Sequence, residues 1–469
     1  MPQSYRDYRP EQDFLLPPSL GQWLPEGHLA YFVSDVVDQL DLTPMHDAYG
    51  EERRGHPPCD PRMMTKLLVY GYCVGVYSSR KIQQRLQEDV AFRVLAAGNE
   101  PDFRTISDFR KIHLKTLSGF FEEVLRIVLE TGAMKLGRVA LDGTKIKANA
   151  SKHKAMSYDR MAQQEAAIRE QVKELMAKAA ATDAEEDTQF GKDKRGDELP
   201  EELRRRETRL TRIREAQRVV EERAREKARG EGKPEDEAKP EDKAQYNFTD
   251  PESRIMKSAE GFVQAYNAQI AVEPDFQLIV GQYVTQAGND KEQVEPMVQA
   301  IEEQSGQRPG ELLADAGYCS DSNLKYLEAE AEPEKKIDAY VATGRQKHSE
   351  EPVDCPRGPL PQGATRVDRM RRKLKTKVGA AIYARRKAIV EPVFGQIKEA
   401  RGFRRFSLRG LIKVEGEWAL VCLTHNILKM HRMCYAQGQG SHEARPKKQR
   451  KVRTISPHLP VEYAGWGRF

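Results

Sequence analysis

Apolar residues recur at helical spacing through the first 130 residues and change to alternating strand patterns after residue 260. Asp60-Pro61 predicts a helix with an aspartate N-cap and proline at its first position. The serine pair at 78–79 begins a second apolar stripe. A third helix, capped by Thr105 or Ser107, is expected to continue through Leu117. These patterns predict a helical N-terminal domain over residues 1–130, whose Arg and Lys near the helix starts favour DNA binding, with a plain packing domain as the alternative.

Residues 155–245 have a different composition from the rest of the chain. The stretches 163–179 and 201–227 are rich in Ala, Glu, Arg, Lys and Gln and contain few large apolar residues. Such stretches favour long exposed helices stabilised by ion pairs four residues apart. We expect a helical hairpin that turns at 190–196, followed by a charged linker to residue 245. The whole block is interpreted as an insertion outside the main core.

Strand patterns predict a sheet that is built from distant parts of the chain. Residues 261–272 alternate and are followed by a turn and a second strand at 276–284, which indicates an antiparallel hairpin. A helix is predicted at 291–303, a strand ending at Asp315, and a further strand at 339–342. With an earlier apolar run that ends at Asp142, the order implies a mixed α/β sheet with both aspartates at strand ends.

Charge is unevenly distributed along the 469 residues. The formal net charge is only +5, yet residues 366–409 contain fifteen Lys and Arg against three acids, Asp368, Glu391 and Glu399. An excess of that size favours a polyanionic partner such as nucleic acid. A merely solvated basic face is the alternative.

Other compositional features exclude several classes of protein. The six cysteines form no CxxC pair and no zinc-ligand spacing, which is typical of thiols in a reducing compartment. The N-terminus lacks the profile of a signal peptide, and no apolar run approaches the ~18 residues of a membrane span. We therefore expect a soluble intracellular protein that has no membrane partner.

Three acidic residues each lie in a short segment suited to present a carboxylate. Asp142 and Asp315 end apolar runs and are followed by glycine within two residues, whereas Glu391 lies in a helical stretch among basic residues. Carboxylates that converge from distant segments repel one another unless cations hold them, commonly a pair of Mg²⁺ ions. The residues thus indicate phosphoryl transfer on nucleic acid. An N-cap or turn role is the alternative for each aspartate.

Four segments in order resemble a known family. They are Leu141 to Ser151, Asp250 to Lys257 leading into Tyr266 to Gln269, Asp315 to Tyr318, and Val390 to Lys398. These segments resemble those of bacterial insertion-sequence DDE transposases, specifically the eleven-eighty-two insertion-sequence family. The resemblance implies an RNase H-like core over residues 131–154 and 246–435, with the helical insertion after its first strand and a basic tail at 436–469.

The resemblance also implies the chemistry and the partners. Asp142, Asp315 and Glu391 would be the catalytic, metal-binding triad for two Mg²⁺ ions, for which Mn²⁺ may substitute. The enzyme would cleave and join DNA at the terminal inverted repeats and at target DNA, as a homodimer in a synaptic complex. Its expected place is the bacterial cytoplasm, in association with the nucleoid. A nuclease without strand transfer and a non-catalytic DNA-binding protein are the alternatives.

Related transposases carry a signature of Tyr, Arg, Glu and Lys, to which this chain conforms only in part. Counted from Glu391, the lysine position is Lys398, but the arginine position is Lys387 and the tyrosine position is Ala384. Tyr383 and Arg386 each lie one residue earlier. The candidate DNA-binding residues are Tyr383, Arg386, Lys387, Lys398, Arg401, Arg404 and Arg405, with the tail segment 445–453 as a further DNA-contacting arm.

Several residues have simpler interpretations. Phe403 and Phe406 are expected in the core more than in base stacking, and His425 and His431 are expected in a packing helix. Asp250 and Arg254, four residues apart, suit a helical ion pair, with a position near the active site, implied by the resemblance, as the equal alternative.

Overall fold

Helices make up more than half of the residues that this computed structural model describes. It describes residues 19–49, 57–190, 201–344 and 358–435, apart from 131, 133, 135, 231, 236–237, 259–260, 330–331 and 360. The helices are α1 (Leu29–Asp38), α2 (Thr43–Asp47), α3 (Pro61–Cys73), α4 (Ser79–Glu88), α5 (Val90–Leu95), α6 (Phe103–Ile112), α7 (Leu114–Glu130), α8 (Tyr158–Phe190), α9 (Glu201–Gly230), α10 (Val294–Ser305), α11 (Asp321–Glu328), α12 (Arg366–Lys375), α13 (Lys377–Ala384), α14 (Arg386–Gly395) and α15 (Leu411–Tyr435). The predicted tail 436–469 lies outside the described residues.

The N-terminal helices begin largely where their caps predict. The Asp60 carboxylate accepts hydrogen bonds from the backbone N–H groups of Arg62 and Met63, which satisfies two donors that the first turn of α3 leaves unpaired. The third prediction was wrong in its cap and its length. Asp102, not Thr105 or Ser107, caps α6, and α6 ends at Ile112 before α7 begins at Leu114.

A mixed sheet forms the centre of the molecule. Its strands are β1 (Arg138–Lys147), β4 (Arg254–Ser258), β5 (Gly261–Val272), β6 (Ile279–Thr285), β7 (Glu311–Ala314) and β8 (Asp338–Val341), while β2 (Ala155–Ser157) and β3 (Gln245–Asn247) form a separate ribbon. The order is β4-β5-β1-β7-β8, with β6 also paired to β5. Strand β1 is antiparallel to β5 and parallel to β7, and β7 is parallel to β8. The predicted mixed α/β class is confirmed.

Helix α15 connects the N-terminal helices to the sheet. It packs against α3, α7 and β6, and it is buried along most of its length, including Trp418. Glu417 is fully buried within this contact. Its carboxylate accepts hydrogen bonds from the Tyr72 hydroxyl and from the backbone N–H groups of Ser407 and Leu408. Because the buried apolar residues of both parts form one cluster, the N-terminal helices share a core with the sheet.

The charged block between β1 and β4 packs mainly on itself. Helices α8 and α9 lie side by side around a small apolar cluster that includes Met161, Ile168, Ile213 and Val220. Few large side chains are available there, so most of both helices stays exposed, as the composition predicts. The predicted turn lies outside the described residues beyond Phe190.

Helix α14 accommodates a proline in its interior. Pro392 has no N–H to donate to the carbonyl of Ala388, and that carbonyl accepts a hydrogen bond from the Gln277 side-chain amide instead, at 3.0 Å. The helix continues into one π-helical turn at Gln396–Ala400. Helix α14 therefore begins at Arg386 and carries Pro392 in its interior, where an outside donor satisfies the freed carbonyl.

Two further predictions have clear outcomes. Phe403, Phe406 and His425 are buried, as expected. The helical ion pair was wrong, because Asp250 precedes a turn and Arg254 begins β4. Asp250 accepts hydrogen bonds from the Tyr266 hydroxyl and the Gly410 N–H.

Candidate active site

Asp142 and Asp315 lie at neighbouring positions on two parallel strands. Ala140 of β1 and Leu313 of β7 are the last pair in register between the two strands, and Asp142 and Asp315 each follow that pair by two residues. Neighbouring strands are about 4.8 Å apart. Asp315 follows the last residue of β7, as predicted, and its carboxylate accepts a hydrogen bond from the Gly317 N–H at 2.8 Å. Two acids that are 173 residues apart in sequence therefore share one edge of the sheet.

Asp142 is not at a strand end, which corrects the sequence prediction. It lies in the middle of β1, which continues to Lys147, and it is paired with Ile270 of β5. The apolar run stops at Asp142 because the next residues line a polar site, not because the strand ends. The turn and N-cap alternatives do not apply to this residue.

The carboxylate of Asp142 is partly desolvated and lies close to other charges. Its Oδ2 is 3.4 Å from Nη1 of Arg386, and its Oδ1 accepts from the Gly143 N–H. Burial raises the pKa of Asp142 to about 6, and repulsion from Asp315 and Asp290 acts in the same direction against the effect of Arg386. Carboxylates in this state are stabilised by any additional cation.

Glu391 lies on α14, which runs past β1. Five residues before it, Arg386 reaches Asp142, and seven residues after it, the Lys398 ammonium donates to the Thr144 hydroxyl of β1. Glu391 itself is exposed, and its carboxylate has no hydrogen-bond or ion-pair partner in the described part of the chain. No group of three His, Cys, Asp or Glu side chains in that part is close enough to hold a metal ion. The structure thus brings Asp142 and Asp315 together and places Glu391 on the helix between two residues that contact β1.

A fourth carboxylate, Asp290, lies beside this pair and was missed in the sequence. It follows β6 in a loop, and its Oδ1 accepts from the side-chain amides of Asn267 at 2.7 Å and Gln269 at 2.6 Å. The Lys145 ammonium is 3.6 Å from the same oxygen. A methyl group placed on Gly317 would lie 2.9 Å from Asp315 Oδ1 and 3.6 Å from Asp290 Oδ2, so both carboxylates face the same point of the backbone.

Because Gly143 has no side chain, the Asp290 carboxylate and the Gln269 amide can lie against β1 at this position. A Cβ at Gly143 would lie 2.1 Å from Nε2 of Gln269 and 2.9 Å from Oδ1 of Asp290. The signal for this arrangement was present in β5, where Asn267 and Gln269 interrupt an apolar strand and are fully buried. Buried amides need partners, which implies a polar group facing that side of the strand.

Lys145 is the cation at the centre of these acids. Burial lowers its pKa, while the carboxylates of Asp290, Asp142 and Asp315 act in the opposite direction. A lysine among three carboxylates shows that this end of the sheet attracts positive charge.

Two family models match the chain. A transposase domain model, DUF772, matches residues 18–112, and a transposase DDE domain model matches residues 361–431, which include Glu391. The chain is a DDE transposase. Comparison with curated proteins and with solved structures gave no match. DDE transposase domains cleave DNA and transfer strands, and they generally use divalent metal ions. The helices of the transposase that are described include none long and apolar enough to cross a membrane.

The structure of the transposase distinguishes the two possible alignments of the Tyr and Arg signature positions. Arg386 is buried and contacts Asp142, and Tyr383 is close enough to hydrogen-bond Arg386. Lys387 and Ala384 are exposed on α14 and α13. The residues one position earlier than the family spacing are therefore the ones next to the acids.

The basic residues after α14 do not form one continuous face. Arg401 is only 8% exposed and donates to the Thr424 hydroxyl at 2.8 Å and to the Val421 carbonyl at 3.1 Å. Its predicted role in DNA contact was wrong, because the guanidinium fixes the loop to α15 inside the protein. Arg404 pairs with Glu399, whereas Arg405 is exposed.

Proposed function

We propose that Asp142, Asp315 and Glu391 are the catalytic acids of this transposase and that they hold two Mg²⁺ ions, with Mn²⁺ as a substitute. The observation that supports this most directly is that Asp142 and Asp315 each follow the same register pair of two parallel strands by two residues, and that burial and then repulsion from Asp315 raise the pKa of Asp142. Oxygen donors are the ligands that these ions prefer. Glu391, unpartnered in the described chain, is free to complete the set.

The strand order supports an RNase H-like core. Strands β6, β5 and β1 are antiparallel neighbours, and β7 and β8 extend the sheet parallel to β1. In this interpretation the core spans 131–154 and 246–435, residues 155–245 are the insertion, and residues 1–130 contribute to binding the DNA ends. The eleven-eighty-two family remains our proposed assignment.

The residues around the acids have distinct proposed roles. When bound, the metal ions would supply Lewis-acid stabilisation of the attacking and leaving oxygens. Asp290 holds Lys145 and the Gln269 amide in place, and it thereby fixes the polar side chains that lie next to Asp142 and Asp315. Arg386, Tyr383 and Lys398 lie near enough to β1 to bind the phosphate of the reacting strand, while Lys387, Arg404 and Arg405 would contact DNA further out. The substrates are the terminal repeats and target DNA, bound by a homodimer in the nucleoid of the cell.

Three isosteric variants test the assignment of the acids. Asp142→Asn, Asp315→Asn and Glu391→Gln should each abolish cleavage and strand joining on labelled end DNA with Mg²⁺, while a gel shift shows that DNA binding is retained. Asp275→Asn is the matched control, because Asp275 is an exposed aspartate in the turn between β5 and β6. Retention of cleavage by Asp142→Asn would overturn the assignment. Hydrolysis without joined products in the wild type would point to a nuclease.

Metal binding can be measured separately from activity. Titration of Mn²⁺ followed by its electron paramagnetic resonance signal should show bound ion in the wild type and in Asp275→Asn. The signal of bound ion should be lost in Asp142→Asn and in Asp315→Asn. Equal binding by all four proteins would contradict this site.

A further inference from the structure

A groove of about 570 Å³ lies beside the C-terminal end of β1. Five cationic side chains line it, namely Lys147, Lys152, Lys154, Arg405 and Arg409, and we call it the basic groove. His153 also lines it, and no Asp or Glu does so among the described residues. Only Arg405 among these was expected from the sequence to contact DNA.

Three cations of the basic groove have no carboxylate beside them in the described part of the chain. Lys152, Lys154 and Arg405 are exposed, and no carboxylate of the described residues is within ion-pair distance of them. The neighbouring Arg404 behaves differently, since it pairs with Glu399. Lys152, Lys154 and Arg405 therefore repel one another and are stabilised by a polyanion.

Hydrogen bonds hold the walls of the groove in one arrangement. The Asn149 amide donates to the Ser407 carbonyl at 2.7 Å, and the Arg409 guanidinium donates to the Asn149 carbonyl at 2.9 Å. On the other side, the Asn247 amide donates to the Ser151 carbonyl at 2.9 Å. These contacts join the segment after β1 to the loop before α15, so little ordering is needed when a ligand binds.

The floor of the groove offers two further contacts. Phe262 is 63% exposed, which presents an aromatic surface beside the cations. Gln264 is 5% exposed, and its side-chain oxygen has no hydrogen-bond partner among the described residues. Because buried polar atoms are nearly always paired, this oxygen indicates a donor supplied from the groove. An aromatic face and an amide next to phosphate-binding cations suit a nucleic acid strand.

We propose that the basic groove binds the phosphate backbone of the DNA substrate outside the active site. This inference rests on the proposed function for the position of the reacting bond near Asp142. Lys147 is five residues further along β1, which is about 16 Å at ~3.3 Å per residue. That distance corresponds to about five base pairs of duplex at ~3.4 Å each. The groove therefore contacts the backbone about five base pairs from the cleaved bond.

The test removes two charges from the groove in the full-length protein. Lys152→Ala/Lys154→Ala is compared with Lys325→Ala/Lys336→Ala, which removes two exposed lysines outside the groove. Binding to a labelled duplex of the element's terminal sequence is measured from 50 to 200 mM salt. Loss of two phosphate contacts should reduce the slope of log K against log salt by about 1.8. The control should keep the wild-type slope.

Phosphate ethylation interference locates the contact. In the wild type, ethylation about five base pairs from the cleaved bond should weaken binding, and this effect should be absent in the groove variant. An unchanged slope or an unchanged interference pattern in that variant overturns the proposal. Failure of the proposed function would look different from failure of the groove proposal, because the wild-type protein would then bind DNA without cleaving it.

Discussion

The substitution Gly143→Ala tests the close approach on which the site geometry depends. The added methyl carbon would lie 2.1 Å from the Gln269 amide and 2.9 Å from the Asp290 carboxylate, well inside contact distance. Gln269 cannot move freely, because it also accepts a hydrogen bond from the buried Tyr318 hydroxyl and its backbone carbonyl accepts from Trp418. The methyl group must therefore displace the amide, the carboxylate or β1 itself.

The expected cost combines steric strain with lost hydrogen bonds. Inserting one methyl into a packed interior typically costs 1–3 kcal/mol, and each disrupted buried hydrogen bond adds about 1 kcal/mol. We expect Gly143→Ala to lower the free energy of unfolding by about 2–4 kcal/mol. A displacement of about 1 Å near the acids should also reduce the rate of DNA cleavage by about 100-fold.

Gly137→Ala is a matched control for this experiment. Gly137 lies immediately before β1, and a Cβ there would meet no atom within 4 Å. Both variants reduce the entropy of the unfolded chain equally, so the difference between them isolates the steric effect. Urea denaturation gives the free energies of unfolding, and cleavage of labelled DNA gives the rates. Equal stabilities of the two variants would refute the close packing of Gln269 and Asp290 against β1.

Three other predictions address the surroundings of the site. Arg401→Ala should lower the free energy of unfolding by about 2–3 kcal/mol without changing the salt dependence of DNA binding. Arg405→Ala should change the free energy of unfolding by less than about 0.5 kcal/mol and reduce the slope of log K against log salt by about 1. The opposite pattern would contradict the buried position of Arg401 and the exposed position of Arg405. Asp290→Asn keeps one acceptor oxygen but removes the charge, so it should weaken Mn²⁺ binding while the melting temperature stays near that of the wild type; unchanged Mn²⁺ affinity would contradict a role at the site. Burial lowers the pKa of His425 to about 3, so the contribution of the neutral imidazole to stability is complete above the ordinary value of 6.5 and is lost as the pH falls toward 3. Between pH 7 and 5 the free energy of unfolding should therefore fall by about 2 kcal/mol. The denaturation profile of His425→Gln should lack that part of the pH dependence.

Local signals predicted the elements of this fold more accurately than they predicted its contacts. Asp60 caps α3 because one carboxylate next to proline meets two free N–H groups, which is a purely local interaction. The alternation of residues 261–272 likewise predicted β5 within its observed bounds. Asp142 was placed at a strand end because an apolar run ends there in Asp-Gly, yet Gly143 is a strand residue that leaves room for Gln269, which is 126 residues away in sequence.

Charge runs could not reveal which cations are buried. Arg401 and Arg405 belong to the same basic stretch, but only Arg401 faces the carbonyls of α15. The lysines of the basic groove were not predicted to contact DNA, because they do not belong to that basic stretch of the sequence. Lys152 and Lys154 are separated from Arg405 by some 250 residues and meet it only because β1 pairs with the loop after α14 through Lys147 and Arg405.

Basic side chains on both sides of Glu391 reach β1, although only Lys398 keeps the family spacing. Arg386 is one residue further from Glu391 than the signature requires, which rotates it by about 100° around a regular helix. The long guanidinium side chain nevertheless reaches Asp142. After Glu391, the wider turn at Gln396–Ala400 lets the Lys398 ammonium reach Thr144, two residues from Asp142 on the same face of β1. Arg386 and Lys398 therefore contact residues two positions apart on one face of β1, although they lie twelve residues apart in sequence.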